Sequence, residues 1–364
     1  VASQIGEGQM STTRKSAICV IAFAIVFSVG LAQADSYLTS SGNWSNDNNW
    51  SEGEPTWSDQ AAVGFERTVN VTESGEVAQY LEIGNSTGAG TLDMDSGDLT
   101  VTNLSLGGAN AGTIDIDGGD FTVVNNAPNL ANGAGEVGTL NISSGSFTTG
   151  ANWGDVGKSG NATLNISGTA SVSLDDTRFS ADGGKSVVNL SGGSLDLVHW
   201  DGAQPGGSLT MNISGGSIGG ANIHLDYGGT NIYKVSGTAA DVGTQHRLYL
   251  GGNSNYHVEL DTNGVSTFHV DTWHLYLGGT LTIGEWADGD GLPTDDVVLF
   301  RAPGTNVHGT FSTTNWLDGI QGNIVYDRDN GEVRLESVIP EPATLGLIGI
   351  ALAGMFWYRR KFRG

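Results

Sequence analysis

The chain has 364 residues, with 39 Asp and Glu against 15 Lys and Arg, and a formal net charge of −24 at pH 7. An excess of negative charge this large repels phosphates, so it argues against a nucleic-acid-binding protein. One cysteine, Cys19, cannot form an intramolecular disulfide framework.

The first segment has the three parts of a secretory signal peptide. Arg14 and Lys15 precede an apolar run over residues 17–31, and small residues at Ala32 and Ala34 fit a cleavage site. We therefore predict that the first 34 residues comprise upstream residues and a signal peptide. Removing both this segment and the basic end of the chain would leave a net charge of about −29.

Tryptophans mark the start of the predicted mature chain, residues 35–80. Trp44, Trp50 and Trp57 lie in a sequence rich in Asn, Ser and Gly, which is typical of turns. An exposed trio of this kind would be a sugar-stacking platform, a possible carbohydrate contact. The other interpretation, which we favour, is a cap, because the first coil of a repeat protein exposes a core and an open strand edge.

The middle of the chain, residues 81–279, repeats an apolar-x-apolar pattern followed two or three residues later by Gly. The units start 22 to 26 residues apart and are Leu92/Met94/Gly97, Ile114/Ile116/Gly119, Leu140/Ile142/Gly145, Leu164/Ile166/Gly168, Val188/Leu190/Gly193, Met211/Ile213/Gly216 and Tyr233/Val235/Gly237. Such alternation predicts short strands, and the period predicts one coil per repeat. We predict an all-β parallel β-solenoid, a right-handed β-helix with about three strands per coil. A β-sandwich is the alternative.

Polar columns accompany this repeat. Asn recurs between the apolar residues of the later units, which predicts a ladder of amide hydrogen bonds. The first two units instead place Asp93, Asp95, Asp115 and Asp117 on one face. Like charges one coil apart repel by about 1 kcal/mol per pair even in water. We expect a solvated acidic face, with Ca²⁺ bound by these carboxylates as the alternative, and no other cofactor.

The segment from residue 280 to residue 338 lacks the repeat but keeps strand-like runs, such as residues 296–300 and 332–335. We predict that it is a capping β-region that closes the solenoid.

The chain ends in a Pro-Glu-Pro tripeptide, a 16-residue apolar segment and a basic cluster. They are Pro340, Glu341 and Pro342, then residues 343–358, then Arg359, Arg360 and Lys361. As a helix the apolar segment would span roughly 24 Å, against a bilayer core of about 30 Å. The basic cluster would stay on the cytoplasmic side, and the prolines would leave an extended segment that a protease can enter.

The order and spacing of these parts resemble the PEP-CTERM tail of exported bacterial proteins, and the tryptophan-rich start is similar to that of exported β-solenoids with autotransporter-like repeats. The resemblance implies that residues 339–364 are a sorting signal with a transmembrane helix, read by an exosortase-type membrane protease. It further implies a protein of the cell surface or extracellular matrix, transiently anchored in the inner membrane and associated with exopolysaccharide. An anchor that is never cut is the alternative.

Catalytic motifs do not stand out. The seven histidines are scattered, and we find no nucleophile elbow, zinc-binding His-Glu-x-x-His or phosphate loop. We therefore expect a non-enzymatic exported protein. The alternative is a carbohydrate-active β-helix enzyme, a lyase or hydrolase that acts on an extracellular glycan.

Overall fold

The computed structural model describes residues 35–125, 129–150, 152–225, 227–287 and 291–340. The predicted signal peptide and the tail from Glu341 onward lie outside these ranges, so the interpretations of those segments stay predictions.

The described chain is built almost entirely from short strands. In chain order they are β1 (Asp35–Tyr37), β2 (Gly42–Asn43), β3 (Gln60–Val63), β4 (Arg67–Val71), β5 (Glu76–Ile83), β6 (Gly90–Met94), β7 (Asp98–Leu106), β8 (Gly112–Ile116), β9 (Asp120–Val123), β10 (Asn129–Leu130), β11 (Val137–Ile142), β12 (Ser146–Thr149), β13 (Gly154–Val156), β14 (Asn161–Ile166), β15 (Ser171–Phe179), β16 (Lys185–Asp201), β17 (Ser208–Leu225), β18 (Thr230–Ser236), β19 (Ala240–Thr244), β20 (Arg247–Leu250), β21 (Ser254–Leu260), β22 (Phe268–Val270), β23 (His274–Leu277), β24 (Thr280–Glu285), β25 (Val297–Arg301), β26 (Val307–Gly309), β27 (Thr313–Trp316), β28 (Ile320–Asp327) and β29 (Glu332–Pro340). Within the described ranges, a 3₁₀ turn at Asp47–Asn49 is the only helical segment.

Strands β1 to β27 stack in parallel into three faces of a solenoid of about ten turns. The first face contains β1, β3, β10, β13, β20, β23 and β26, with the last parts of β5, β7, β15, β16 and β17. The second face contains β2, β4, β6, β8, β11, β14, β18, β21, β24 and β27, with the first parts of β16 and β17. The third face contains β9, β12, β19, β22 and β25, with the first parts of β5, β7 and β15 and the middle of β16 and β17.

The apolar residues of the repeat form the core between the faces. Leu92, Ile114 and Leu140 are partners in register on successive turns, and each is at most 1% exposed. The glycine that ends each unit turns the corner: Gly119 has a φ of +79°, and a Cβ there would lie 2.1 Å from the carbonyl oxygen of Gly97. The prediction of a parallel β-solenoid is therefore confirmed, while its right-handedness stays a prediction.

The second face carries the predicted amide ladder. Each Asn Nδ2 donates to the Oδ1 of the preceding turn: Asn165 to Asn141 at 2.6 Å, Asn189 to Asn165 at 2.7 Å and Asn212 to Asn189 at 2.8 Å. The ladder ends on a carboxylate, because Asn141 donates to Asp115 at 2.6 Å. We call the residues from Asp115 to Asn212 in this column the amide ladder.

The N-terminal end is closed by the segment that follows β2. Ser51 N donates to the carbonyl oxygen of Tyr37 at 2.9 Å, which covers the outer edge of β1. Trp44 and Trp50 are 0% and 4% exposed, their ring centroids lie 5.0 Å apart, and Trp50 Nε1 donates to Trp44 O at 2.8 Å. This tryptophan pair seals the first coil of the core.

The C-terminal end is closed by an antiparallel hairpin. Strand β29 pairs antiparallel with both β28 and β25, whereas β24 still pairs in parallel with β27. Parallel stacking therefore already begins at β1 and β3, before residue 81, and continues past residue 279 to Trp316. The long connection between Glu285 and Val297 explains why the repeat is not visible in this part of the sequence.

Candidate functional site

The predicted sorting signal begins where the described fold ends. In the closing hairpin, Ile339 pairs with Gln321 and Pro340 pairs with Ile320, at the last positions of β29. Glu341 is the next residue of the chain. The hairpin therefore fixes the position of the chain immediately before the glutamate of the Pro-Glu-Pro tripeptide.

The three tryptophans at the start of the mature chain do not form an exposed platform. Trp44 and Trp50 are buried against each other, so neither offers a ring face to a sugar. Trp57 is 52% exposed and has no ring contact with the other two. The structure thus contradicts carbohydrate contact at Trp44 and Trp50, and their burial fits the cap.

Two of the four aspartates of the early turns accept hydrogen bonds from the next turn. Asp115 accepts from Asn141, and Asp117 accepts from the Ser143 hydroxyl. Burial raises the pKa of Asp93, and the charges of Asp95, Asp115 and Asp117 raise it further. Among the described residues, no group of three or more His, Cys, Asp or Glu side chains is arranged to hold a metal ion.

A shallow cleft of about 480 Å³ on the third face brings together acidic side chains and a histidine that lie far apart in the sequence. His269 Nδ1 lies 3.8 Å from Asp241, and its Nε2 lies 3.7 Å from Asp271. The register partner of His269 is Gly243, and a Cβ there would lie 2.3 Å from His269 Nε2. In the sequence, the feature that indicates this cleft is a glycine at an outward strand position one turn before a histidine.

The chemistry of this cleft is that of a solvated ion cluster. An imidazole between two carboxylates can transfer a proton. However, the side chains of Asp241 and Asp271 are 78% and 55% exposed, and that of His269 is 38% exposed. Water therefore screens the interaction between the imidazole and the two carboxylates.

The first face carries a row of stacked rings in its later turns. His224, Tyr249, Tyr276 and His308 are successive register partners, with ring centroids 4.6, 4.4 and 5.0 Å apart. We call these four residues the aromatic row. The tyrosines occupy the central position of two Leu-Tyr-Leu-Gly elements, and that repeated element was the signal in the sequence.

The described fold and its end define a class: a parallel β-solenoid whose closing hairpin leads directly into a C-terminal sorting signal. A family model for the PEP-CTERM protein-sorting motif matches residues 338–361, as the resemblance predicted. No curated protein and no solved structure matches the chain. The motif implies an exosortase-dependent exported protein that is transiently anchored in the membrane.

No helix within the described ranges is long and apolar enough to cross a membrane. The apolar residues 343–358, predicted to do so, lie outside those ranges.

Proposed function

We propose that this protein is a non-enzymatic component of the cell surface or extracellular matrix, sorted by an exosortase-type protease through its Pro-Glu-Pro signal and associated with exopolysaccharide. The observation that carries the proposal is the position of the sorting motif, residues 338–361, which begins in the last three residues of β29 in the closing hairpin and continues beyond it. A protease that cuts there releases the whole solenoid intact.

The solenoid itself supports a structural role. Its core is continuous along the described turns, and the amide ladder links outward polar side chains of successive turns by hydrogen bonds. The strong negative charge keeps such a rod soluble outside the cell. A rigid, acidic, linear protein is suited to spacing or cross-linking within a hydrated matrix.

The sorting step is tested by expressing the full chain in cells with and without the exosortase-type protease. We expect intact-mass spectrometry of the exported protein to show loss of the tail only in cells that contain the protease. Glu341→Ala should retain the tail. Glu336→Ala, a carboxylate on β29 just upstream of the motif, is the matched control and should be processed normally. A wild-type protein that retains Gly364 in the presence of the protease would contradict the proposal.

A carbohydrate-active enzyme is the second candidate, favoured only by the cleft around His269. Incubation of the exported protein with polysaccharides, followed by assays for new reducing ends and unsaturated sugars, tests it. We expect no turnover. Turnover that disappears in His269→Asn, but not in His257→Asn on the second face, would establish the enzyme and overturn the non-enzymatic role.

A further inference from the structure

We infer that the aromatic row, together with Arg247 and Trp273 beside it, binds a neutral polysaccharide that lies along the solenoid axis. The inference rests on the proposed function and names the surface through which the exported protein contacts its glycan.

The aromatic row presents ring edges rather than ring faces to its surroundings. The planes of Tyr249 and Tyr276 differ by 3°, and those of the outer pairs by 29° and 27°, so neighbouring rings cover each other. A tyrosine hydroxyl can both donate and accept hydrogen bonds. The hydroxyls of Tyr249 and Tyr276 therefore offer hydrogen-bonding groups on two successive turns, about 4.8 Å apart, whereas His308 Nε2 already lies 3.0 Å from His274 Nδ1. Stacking holds these groups in place before a ligand arrives, which lowers the entropy cost of binding.

Trp273 adds an apolar contact at the side of the row. Its side chain is 45% exposed. The Arg247 guanidinium lies 4.5 Å from its ring centroid, and Arg247 and Tyr249 are the two outward residues of β20, so the tryptophan and the row form one surface. The free part of the indole suits the C–H face of a pyranose, while Arg247 can donate to sugar hydroxyls.

The charge around the row selects a neutral ligand. None of the outward residues on the paired first-face segments of β17, β20, β23 and β26 is acidic. In earlier turns the same face carries Glu82, Asp155 and Asp201. The chain as a whole repels polyanions because of its net charge of −24. A surface of hydroxyls and imidazoles with one arginine, in an acidic protein, complements an uncharged polymer rich in hydroxyl groups.

The shape of the surface favours a polymer over a small sugar. The row crosses four turns, a length of roughly 15 Å at the usual spacing of strands. A monosaccharide would meet one or two rings, whereas a chain can contact every turn. Affinity should therefore rise with the length of the glycan.

Affinity electrophoresis of the exported protein tests the inference, with dextran, mannan or a soluble β-glucan in the gel and alginate as the acidic polymer. We expect retardation by at least one neutral polymer and none by alginate. Tyr249→Ser/Tyr276→Ser should weaken binding at least tenfold, and so should Trp273→Ala, which changes only an exposed side chain. Trp57→Ala, which removes an exposed tryptophan outside this surface, is the matched control and should bind as the wild type does.

Each other outcome has a distinct meaning. Suppose that the wild type binds a neutral glycan. If Trp273→Ala then binds equally well, or if Trp57→Ala is the variant that loses binding, the assignment of this surface is wrong. The proposed function stands in either case. Preference for alginate would overturn the charge argument. If the wild type binds none of the polymers, the glycan association fails together with the inference, while sorting through Glu341 is judged separately by mass spectrometry.

Discussion

The two halves of the solenoid order their outward side chains by different interactions. In the earlier turns the amide ladder links Asn side chains by hydrogen bonds of 2.6–2.8 Å along the second face. In the later turns the aromatic row links rings by stacking along the first face. Both columns exploit the same register, in which one residue type recurs once per turn.

The difference lies in direction. Every amide of the ladder donates toward the N-terminus, so the column needs an acceptor at one end and a donor at the other. Asp115 stands at the N-terminal end, and an ionised carboxylate accepts hydrogen bonds but cannot donate them. Lys234, which can only donate, is the register partner of Asn212 at the other end. Stacked rings have no such direction, and the aromatic row begins and ends with histidine.

The two columns differ in how their polar groups are used. The amides of the ladder use their groups on each other, so the ladder stabilises the rod. The rings are held by stacking, and the hydroxyls of Tyr249 and Tyr276 can both donate and accept hydrogen bonds, so the row can contribute to recognition.

The largest effect is expected from pH, through a buried carboxyl group in β5. Glu76 is 5% exposed, and its pKa is raised to about 8, first by burial, then by a hydrogen bond with Glu54 and the charges of Glu54 and Glu73. Glu76 is therefore protonated in the folded protein at pH values where it would be ionised in the unfolded chain. Its stabilising effect is complete below about pH 4.5 and is lost as the pH rises toward 8.

Urea unfolding of the exported protein between pH 4.5 and pH 8.5 measures this loss. We expect the free energy of unfolding to fall by a few kcal/mol over the range, since one pKa unit corresponds to about 1.4 kcal/mol. Glu76→Gln should remove most of the pH dependence, whereas Glu52→Gln, at an exposed site near the same end, should preserve it. A pH profile that is unchanged in Glu76→Gln would refute the assignment.

A smaller effect is expected from interrupting the columns themselves. Asn165→Ala removes one donor and one acceptor of the amide ladder and leaves Asn141 Oδ1 and Asn189 Nδ2 without their ladder partner. We expect a loss of about 2 kcal/mol in the free energy of unfolding. Thr163→Ala, at the neighbouring outward position of β14, is the control and should cost less.

The matched change in the aromatic row is Tyr276→Ser. It removes ring contacts with Tyr249, His274 and His308 but deletes no amide hydrogen bond of a ladder, so we expect a loss of about 1 kcal/mol. Urea midpoints of the two variants compare the columns directly. A larger loss in Tyr276→Ser than in Asn165→Ala would reverse the division between a structural ladder and a row available for binding.

The second face was predictable from the sequence because its spacing is regular. Leu140, Leu164 and Val188 recur at nearly constant intervals, so alternation and period together specify the strands and their register. The Pro-Glu-Pro signal was equally visible, since its three parts are contiguous in the chain.

The other faces depend on distances that the sequence does not reveal. Asp241 and His269 meet only because the turns between them bring two third-face strands into register. The burial of the tryptophans depends on packing. Trp44 and Trp50 are buried, while Trp57 is exposed although it lies in the same Asn-, Ser- and Gly-rich segment. Local sequence identifies such residues but cannot tell burial from exposure where no repeat constrains the backbone.

The smallest effect is expected from extending the amide ladder toward the N-terminus. Asn70, Asp93, Asp115 and Asn141 are successive register partners, so Asp93→Asn/Asp115→Asn would create one uninterrupted column of asparagines from Asn70 onward. We expect the double variant to be more stable at pH 7 by about 1 kcal/mol, because repulsion between neighbouring carboxylates disappears. The part of the gain that comes from relieved repulsion should vanish in acid, since the pKa of Asp93 is raised and its protonation relieves the same repulsion in the wild type.

Asp98→Asn/Asp120→Asn is the control, because these aspartates are also register partners but lie on the third face, outside the amide column. It relieves a comparable repulsion without building a ladder, so any gain beyond the control measures the new amide bonds. Thermal midpoints with and without Ca²⁺ complete the test. If Ca²⁺ raises the midpoint of the wild type but not that of Asp93→Asn/Asp115→Asn, the carboxylates act as ligands rather than as repelling charges, and the calcium alternative replaces the solvated acidic face.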